Sequence, residues 1–316
     1  MPLYQWHFLS KNMYYKYSEY LTKKYKEKVY KLPINVPCTC PNRDGTKGTG
    51  GCIFCSQIGA GFETHENSVP ITSQLEKNMD YIGKKYNAKK FIAYFQNYSN
   101  TYLPAEVFYN NLSEVTKFKN IVKIAVSTRP DCITIEHLDY AKRIKDDFNI
   151  DIMFEMGLQT ANDNSLKILN RGHTVKDFED AASLIKSYGF SVGAHVILGL
   201  FTDTKEDVKN TALFLNKCNV DNVKCHSLYI LKNTRLNDMY KNNMIKLKTK
   251  NEFIEEVFIF LSYLNPECAV QRLLGRAPEE ETVFENWGCS WRKIQNEIEE
   301  KMKLTNFRQG YKCHNL

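Results

Sequence analysis

The chain has 316 residues, of which 43% are apolar and 25% charged, with 15 Gly and 9 Pro; disorder, collagen and coiled coil are excluded as overall descriptions. Its net charge of +7 suits a polyanionic partner without requiring one. Ten cysteines, four of them within residues 38–55, are too few and too clustered for a secreted disulfide scaffold, and they point to metal ligation in a reducing compartment.

The N-terminus MPLYQWHFLSKNMYYKY lacks the basic flank and pure apolar run of a signal peptide. No stretch approaches the ~18 uninterrupted apolar residues of a membrane span. A cytoplasmic protein with no membrane partner is expected. Residues 10–30 interleave Tyr with Lys, a composition that suits contact with phosphates and bases, although the packing face of an amphipathic helix is the plainer reading. From residue 28 onward, β-branched and aromatic runs alternate with helical patterns, which predicts strands at 29–36, 91–95, 121–127, 150–156, 190–198 and 223–230. Thr174 with Asp177, and Thr204 with Asp207, read as capped helix starts, and Gly189 marks the end of the first of those helices. Repeated βα units predict an α/β fold, an incomplete (β/α)6 barrel whose strand C-termini carry the chemistry. After an amphipathic helix at 251–264, the remaining segment leads to a last helix near SWRKIQNEIEEKM and is expected to cover the barrel or form a small substrate lobe.

The loop after the first strand, CTCPNRDGTKGTGGCIFCSQIGAGF (38–62), is too rich in Gly for a helix. Cys40, Cys52 and Cys55 form C-x11-C-x2-C, with Cys38 two residues upstream. Four thiolates suit tetrahedral zinc, and three suit an iron–sulfur cluster with one iron left open. Position favours the cluster, because the loop leaves the rim of a large βα array instead of knitting a small module. Strand parity places Glu155, Gly157 and Gln159 on one face, and Lys224 and His226 together in the lumen, with Lys232 on the exit loop. Burying Lys beside His is costly without a function, which makes this pair a candidate for holding an anionic substrate or exchanging a proton. Gln271 and Arg272 are further substrate-contact candidates. The other cysteines, 132, 218, 225, 268, 289 and 313, show no close ligand spacing, so a second cluster is not expected.

CPNRDGTKGTGGCIFC, YFQNYSNTY and STRPDC resemble the radical S-adenosylmethionine (SAM) superfamily, and within it the YhcC/YtqA group related to the elongator catalytic subunit. The resemblance runs from about residue 14 to 312. It implies a radical SAM barrel in residues 28–264, with an N-terminal flank (1–27) and a C-terminal helical extension (265–316). It implies a [4Fe-4S] cluster on Cys40, Cys52 and Cys55, with Cys38 a spare thiol, and S-adenosylmethionine as cofactor. Gln159 and Arg171 match the family's cofactor-gripping pair, although Arg171 can also be read as a helix cap. Gln96, Asn97 and Ser99 occupy the segment that receives the methionyl amino group. Ser127 and Arg129 belong to an Arg-Pro-Asp block, with Asp131 read as a cap, and Glu155, on the same strand face as Gln159, is a further cofactor candidate. His195 lies on the adenine-contacting strand, where a satisfied core histidine is the plainer reading. The implied activity is hydrogen abstraction in tRNA wobble-uridine maturation, from the carboxymethylaminomethyl to the aminomethyl form. The implied partners are tRNA and an external one-electron donor such as flavodoxin or ferredoxin. The competing expectations are a zinc-stabilised RNA-binding protein, or a radical SAM enzyme acting on a metabolite or peptide.

Overall fold

The computed structural model describes residues 12–56 and 64–313. The first eleven residues, where the Tyr/Lys flank begins, and the QIGAGF end of the cysteine loop lie outside them. Nine strands follow in order: β1 (Val29–Ile34), β2 (Lys90–Phe95), β3 (Ile121–Thr128), β4 (Asp151–Gln159), β5 (Ser191–Leu198), β6 (Asn222–Ser227), β7 (Ile230–Leu231), β8 (Ala269–Arg272) and β9 (Thr282–Phe284). The first six and β8 pair as one all-parallel sheet in the order β1-β2-β3-β4-β5-β6-β8, curled into a partial barrel. The strands are apolar almost throughout because both faces are covered, outside by helices and inside by lumen side chains.

The six strands read from the sequence all form, and the extension adds a seventh. Residues 265–316 therefore enter the sheet through β8 as well as lying over it. The strand expected at 223–230 leaves the sheet after Ser227; Ile230 and Leu231 turn away to pair antiparallel with β9.

Ten helices complete this part of the chain: α1 (Tyr17–Tyr25), α2 (Ile71–Tyr86), α3 (Ala105–Val115), α4 (Ile135–Phe148), α5 (Asp163–Ile168), α6 (Val175–Ser187), α7 (Lys205–Lys217), α8 (Arg235–Lys241), α9 (Lys250–Tyr263) and α10 (Trp291–Leu304). Reciprocal capping boxes start α6 at Thr174/Asp177, α7 at Thr204/Asp207 and α9 at Thr249/Glu252. Gly189 follows α6 with φ +71°, as a helix-ending glycine should. The apolar stripes of these helices meet the sheet's outer face in one core that includes Leu112, Phe154, Phe178, Val196 and Phe253; Ile294, Ile298 and Met302 of α10 join it. Among the described residues no helix is long and apolar enough to cross a membrane.

α1 closes the lumen at its floor. Tyr15, Tyr17 and Leu21 pack on Ile92, Tyr94, Ala125 and Met153, and Tyr25 donates a hydrogen bond to Asp151 at the start of β4. The described part of the Tyr/Lys flank is thus a packing helix, and its buried tyrosines are not available to stack on bases. The C-terminal segment holds it there. Val270 N–H donates to the Tyr15 carbonyl (2.7 Å), Tyr15 N–H donates to Gln309 Oε1 (3.0 Å), and Lys16 pairs with Glu299 (2.9 Å).

Leu21→Ala should cost about 2–5 kcal/mol, as for other buried leucines truncated in a packed core. Urea unfolding followed by tryptophan fluorescence checks this; an unshifted midpoint would show that α1 does not seal the floor.

Candidate active site

The top of the partial barrel opens into a cavity of about 400 Å³. Cys40, Cys52 and Cys55 line one side of it, and side chains from the lumen line the rest. The cysteine loop is laced to the turn after α5: Asn42 Nδ2 donates to Asn170 O (2.6 Å), Asn170 Nδ2 to Gly51 O (2.8 Å), and Ile53 N–H to Leu169 O (3.0 Å). Donors also reach the thiols themselves. Arg171 NH1 and Asn42 Nδ2 lie 3.5 and 3.7 Å from Cys52 Sγ, and Arg43 NH1 lies 3.5 Å from Cys55 Sγ. Hydrogen bonds to sulfur favour the thiolate form that a cluster requires.

Cys38 stands apart. Its thiol donates to the Asn97 carbonyl (3.3 Å), it does not line the cavity, and burial pushes it up to about 12. Among the described residues no three His, Cys, Asp or Glu side chains converge as a single-ion site. Cys38 lies off the cavity that Cys40, Cys52 and Cys55 line, and three thiols on one wall fit a cluster with one open iron.

Arg171 and Gln159 meet over Gly157. A Cβ at Gly157 would lie 2.5 Å from Arg171 NH2 and 2.6 Å from Gln159 Nε2, so only glycine leaves the cradle open. Gln159 adopts φ +75° where the β4–β5 register slips, and both Gly157 and Gln159 line the cavity. Arg171 closes α5 through its backbone N–H, which donates to the Leu166 carbonyl (2.9 Å), while its side chain turns to the cavity. Its guanidinium reaches the Gly157 carbonyl (3.0 Å) and Cys52, while its Nε is buried without a partner. A buried unpaired donor beside three thiols fits an anionic ligand group such as the carboxylate of S-adenosylmethionine.

Arg129, by contrast, is consumed internally. Asp131 takes its Nε and NH2 at 2.9 Å each, and its NH1 donates to the Arg171 carbonyl (2.7 Å). Burial opposes its charge, but Asp131 holds the guanidinium firmly protonated. Asp131 is therefore an ion-pair partner and not the expected cap; Lys47 of the cysteine loop joins it at 2.7 Å. Gln96 and Ser127 line the cavity, whereas Asn97 and Ser99 do not. Ser99 Oγ accepts from the Arg129 N–H (3.2 Å) and braces Thr128. Asn97 is buried beside it, with its Oδ1 unpartnered.

Deeper in the lumen, Glu155 is buried and anionic. Burial alone would raise its pKa, but Lys31, His195 and Lys224 hold it well below the usual range. Lys31 Nζ pairs with Oε1, Gln271 Nε2 donates to Oε1 (2.6 Å), and His195 Nε2 donates to Oε2 (3.1 Å). Burial and the nearby Lys224 hold His195 down at about 4, so the ring is neutral and satisfied. Lys224 and His226 face the cavity together, as parity predicts. Lys224 Nζ lies 3.3 Å from the Tyr94 hydroxyl, and Arg272 NH2 lies 2.8 Å from His226 Nδ1. Burial and Arg272 keep His226 well below its ordinary value, so this ring is a poor proton acceptor. Lys232 is instead on the surface, donating to the Glu280 carbonyl (2.7 Å). Sequence reading missed Lys31 and Tyr94. Tyr94 shares a strand face with Gln96, and Lys31 is a lone cation in an apolar strand; both signals were present.

The sequence profile described as the Radical SAM superfamily matches residues 38–215, and that described as the Radical_SAM C-terminal domain matches 220–304. The uncharacterized protein MJ0486 of Methanocaldococcus jannaschii is 33% identical over 302 residues, 94% of this chain and 92% of its own length. YtqA of Bacillus subtilis, also uncharacterized, is 27% identical over 297 residues, with coverage of 94% and 92%. Among solved structures, the archaeal Methanocaldococcus infernus Elp3 superposes with a TM-score of 0.66 at 17% identity. That match covers 89% of this chain and 64% of the Elp3 chain, which is the longer protein.

Two measurements probe this wall of the cavity. Cys40→Ala, Cys52→Ala and Cys55→Ala should each lose iron after anaerobic reconstitution, while Cys38→Ala keeps it; iron analysis with Mössbauer spectra reads the difference, and loss only in Cys38→Ala would overturn the ligand set. Arg171→Gln should weaken S-adenosylmethionine binding by about 10- to 150-fold, the loss of one charge-assisted hydrogen bond. Equilibrium dialysis reads that change, and unaltered affinity would remove Arg171 from the cofactor site.

Proposed function

The chain belongs to the radical S-adenosylmethionine superfamily, and from that premise we propose that it matures the wobble-uridine side chain of tRNA from the carboxymethylaminomethyl to the aminomethyl form. Enzymes of this family use a [4Fe-4S] cluster and S-adenosylmethionine and draw on an external electron donor, which we take here to be flavodoxin or ferredoxin. When bound, these groups supply one-electron cleavage of the cofactor and hydrogen abstraction from an unactivated carbon. The chain's own residues bind, orient and shield.

Cys40, Cys52 and Cys55 are the proposed cluster ligands, and Arg171 with Gln159 the grip on the cofactor's amino-acid end. Arg129 acts as a positioning residue through the Arg171 backbone, and Ser99 positions Arg129 in turn. Gln96 and Ser127 face the cofactor space, and His195, fixed by Glu155, offers an edge for the adenosyl group. Lys224 and His226 contact the substrate and polarise it without accepting a proton. Residues 28–264 carry this chemistry in the division we propose, with 1–27 as flank and 265–316 as an extension that contributes Gln271 and Arg272.

The observation that carries the enzyme reading is the convergence of three cluster-competent thiols and the Arg171 cradle on one cavity with Lys224 and His226. The substrate assignment is supported by the YhcC/YtqA and elongator resemblance of the three sequence blocks and by the +7 charge. Packing of α1 withdraws the N-terminal tyrosines from that support.

Incubating reconstituted holoenzyme anaerobically with reductant, S-adenosylmethionine and tRNA bearing carboxymethylaminomethyluridine should yield 5′-deoxyadenosine and aminomethyluridine. Affinity for the tRNA should fall steeply with salt as phosphate contacts are screened. Cofactor cleavage indifferent to tRNA, with every nucleoside mass unchanged, retires the tRNA substrate and leaves the radical enzyme standing.

A further inference from the structure

We propose that the turns entering β1, β2 and β3, at the floor end of the barrel, form a docking surface for the sugar–phosphate backbone of RNA. This rests on the reading that the substrate is an RNA, and it adds a contact remote from the cavity. Segments 23–28, 84–90 and 117–120 carry ten Lys against one acid, Glu27. That is a net +9 in a chain whose total is +7, so everything else sums to −2 and the basic character of the protein resides on this one rim. The sheet brings the three segments together. Val29 pairs with Lys90 and Phe91 with Ile121, so the residues before these strands share one edge, with neighbouring strands ~4.8 Å apart. Lys90 Nζ donates to the Tyr25 carbonyl (3.1 Å), and Phe91 N–H donates to the Asn120 carbonyl (2.9 Å), which joins the first turn to the second and the second to the third.

Nine of the ten Lys side chains are exposed, and Lys90 is half-buried. Folding accounts for part of the set. Lys23 and Lys24 end α1, and Lys84 and Lys85 end α2, where a cation offsets the helix dipole. Lys24, Lys84 and Lys117 pair with Asp151, Asp80 and Glu114. Lys26, Lys28, Lys89 and Lys119 lie beyond the helices, and among the described residues no hydrogen bond or salt bridge occupies their side chains. The rim continues into an aromatic face. Tyr81 and Tyr86 of α2 are exposed, Tyr86 stacks on Tyr30 of β1 (4.9 Å), and Lys85 Nζ lies over the two α2 rings at 5.0 and 5.5 Å. Lysines that neutralise phosphates, interleaved with rings that accept a base face, are what a sequence-indifferent RNA contact requires. The three segments contain no Arg, the residue that reads base edges bidentately, so this surface positions the RNA without reading it. The cavity opens at the other end of strands six to nine residues long, about 20–30 Å away at ~3.3 Å per residue. An RNA must span that length to engage both ends; a nucleoside or a short anticodon-loop oligonucleotide reaches the cavity alone.

The test measures binding of anaerobic holoenzyme, saturated with S-adenosylmethionine, to full-length tRNA and to a short anticodon-loop oligonucleotide, by fluorescence anisotropy over a series of salt concentrations. Wild type is compared with a quadruple variant, Lys26→Gln, Lys28→Gln, Lys89→Gln and Lys119→Gln, and with the same four positions changed to Arg. The expected result is about a 10- to 100-fold loss of tRNA affinity in the Gln variant, a salt slope shallower by about 2–4, unaltered affinity for the oligonucleotide, and recovery in the Arg variant. Formation of 5′-deoxyadenosine without RNA should stay at the wild-type rate in both variants, since none of the four residues lines the cavity. Binding of tRNA by the Gln variant at wild-type affinity and slope overturns the docking surface and leaves the wobble-uridine reading intact. Equal losses in the Gln and Arg variants also overturn it, because packing and not charge is then at stake. Loss of binding to anionic lipid vesicles in the Gln variant, with tRNA binding unaltered, overturns it in favour of a membrane surface. Rim-dependent tRNA binding with every nucleoside mass unchanged keeps the docking surface and removes the wobble-uridine reading.

Discussion

A carboxylate with essentially no exposed surface sits inside the partial barrel, and the arrangement of the lumen follows from the need to satisfy it. Moving Glu155 out of water costs several kcal/mol unless its oxygens are matched by charge and hydrogen bonds. The matches come from three separate strands: Lys31 of β1, His195 of β5 and Gln271 of β8. One buried charge thus ties the first strand, the middle and the last strand of the sheet together. A sheet that must bring its first and last strands to the same carboxylate has to curl. Replacing the group with an apolar residue would leave Lys31 buried without its counter-charge, which is why the interaction selects a single closed arrangement more than it adds stability.

Above that layer, the two walls of the cavity divide by chemistry. The wall near β4 and the cysteine loop carries soft thiols, the glycine cradle and the Arg171 donor with its empty Nε. Its geometry is held from behind by Arg129 and Asp131, whose ion pair also anchors the loop through Lys47. The opposite wall carries hard cations from β6 and β8. In the proposed function the first wall would hold the cofactor and the second would face the substrate.

The parts of this legible in the sequence were those with local signals. Six strands could be seen because β-branched runs, buried on both faces, need no partner to be recognised. Thr174/Asp177 and Thr204/Asp207 announced their helices because the capping box is closed within four residues; Thr249/Glu252 carries the same signal and was passed over. β8 was not legible, because AVQR is short, half polar and paired only through a slipped register. The roles of Arg129 and Asp131 were hidden for another reason. Nothing in STRPD says that the arginine bends back onto the aspartate two residues later and onto a carbonyl 42 residues away. The N-terminal tyrosines show the ambiguity of composition: Tyr interleaved with Lys fits a nucleic-acid surface or a packing helix, and packing against Met153 and Ala125 makes it the helix.

The floor plug has a consequence for how the chain is made. α1 is synthesised before the sheet it plugs, yet Tyr14 and Lys16 find their shared partner Glu299 only 285 and 283 residues later, and Tyr15 waits for Val270 and Gln309. At about 5–20 residues per second, that delay is roughly 15–60 s of synthesis. Throughout it the Tyr15, Tyr17 and Leu21 face has no completed sheet to cover. The nascent barrel is an open trough at both its floor and its β6 edge, with an unpaired parallel strand awaiting β8. Vectorial folding from the N-terminus is therefore blocked at the last step, and a chain stalled before residue 270 presents an aromatic helix and a bare strand edge to chaperones and to other nascent chains.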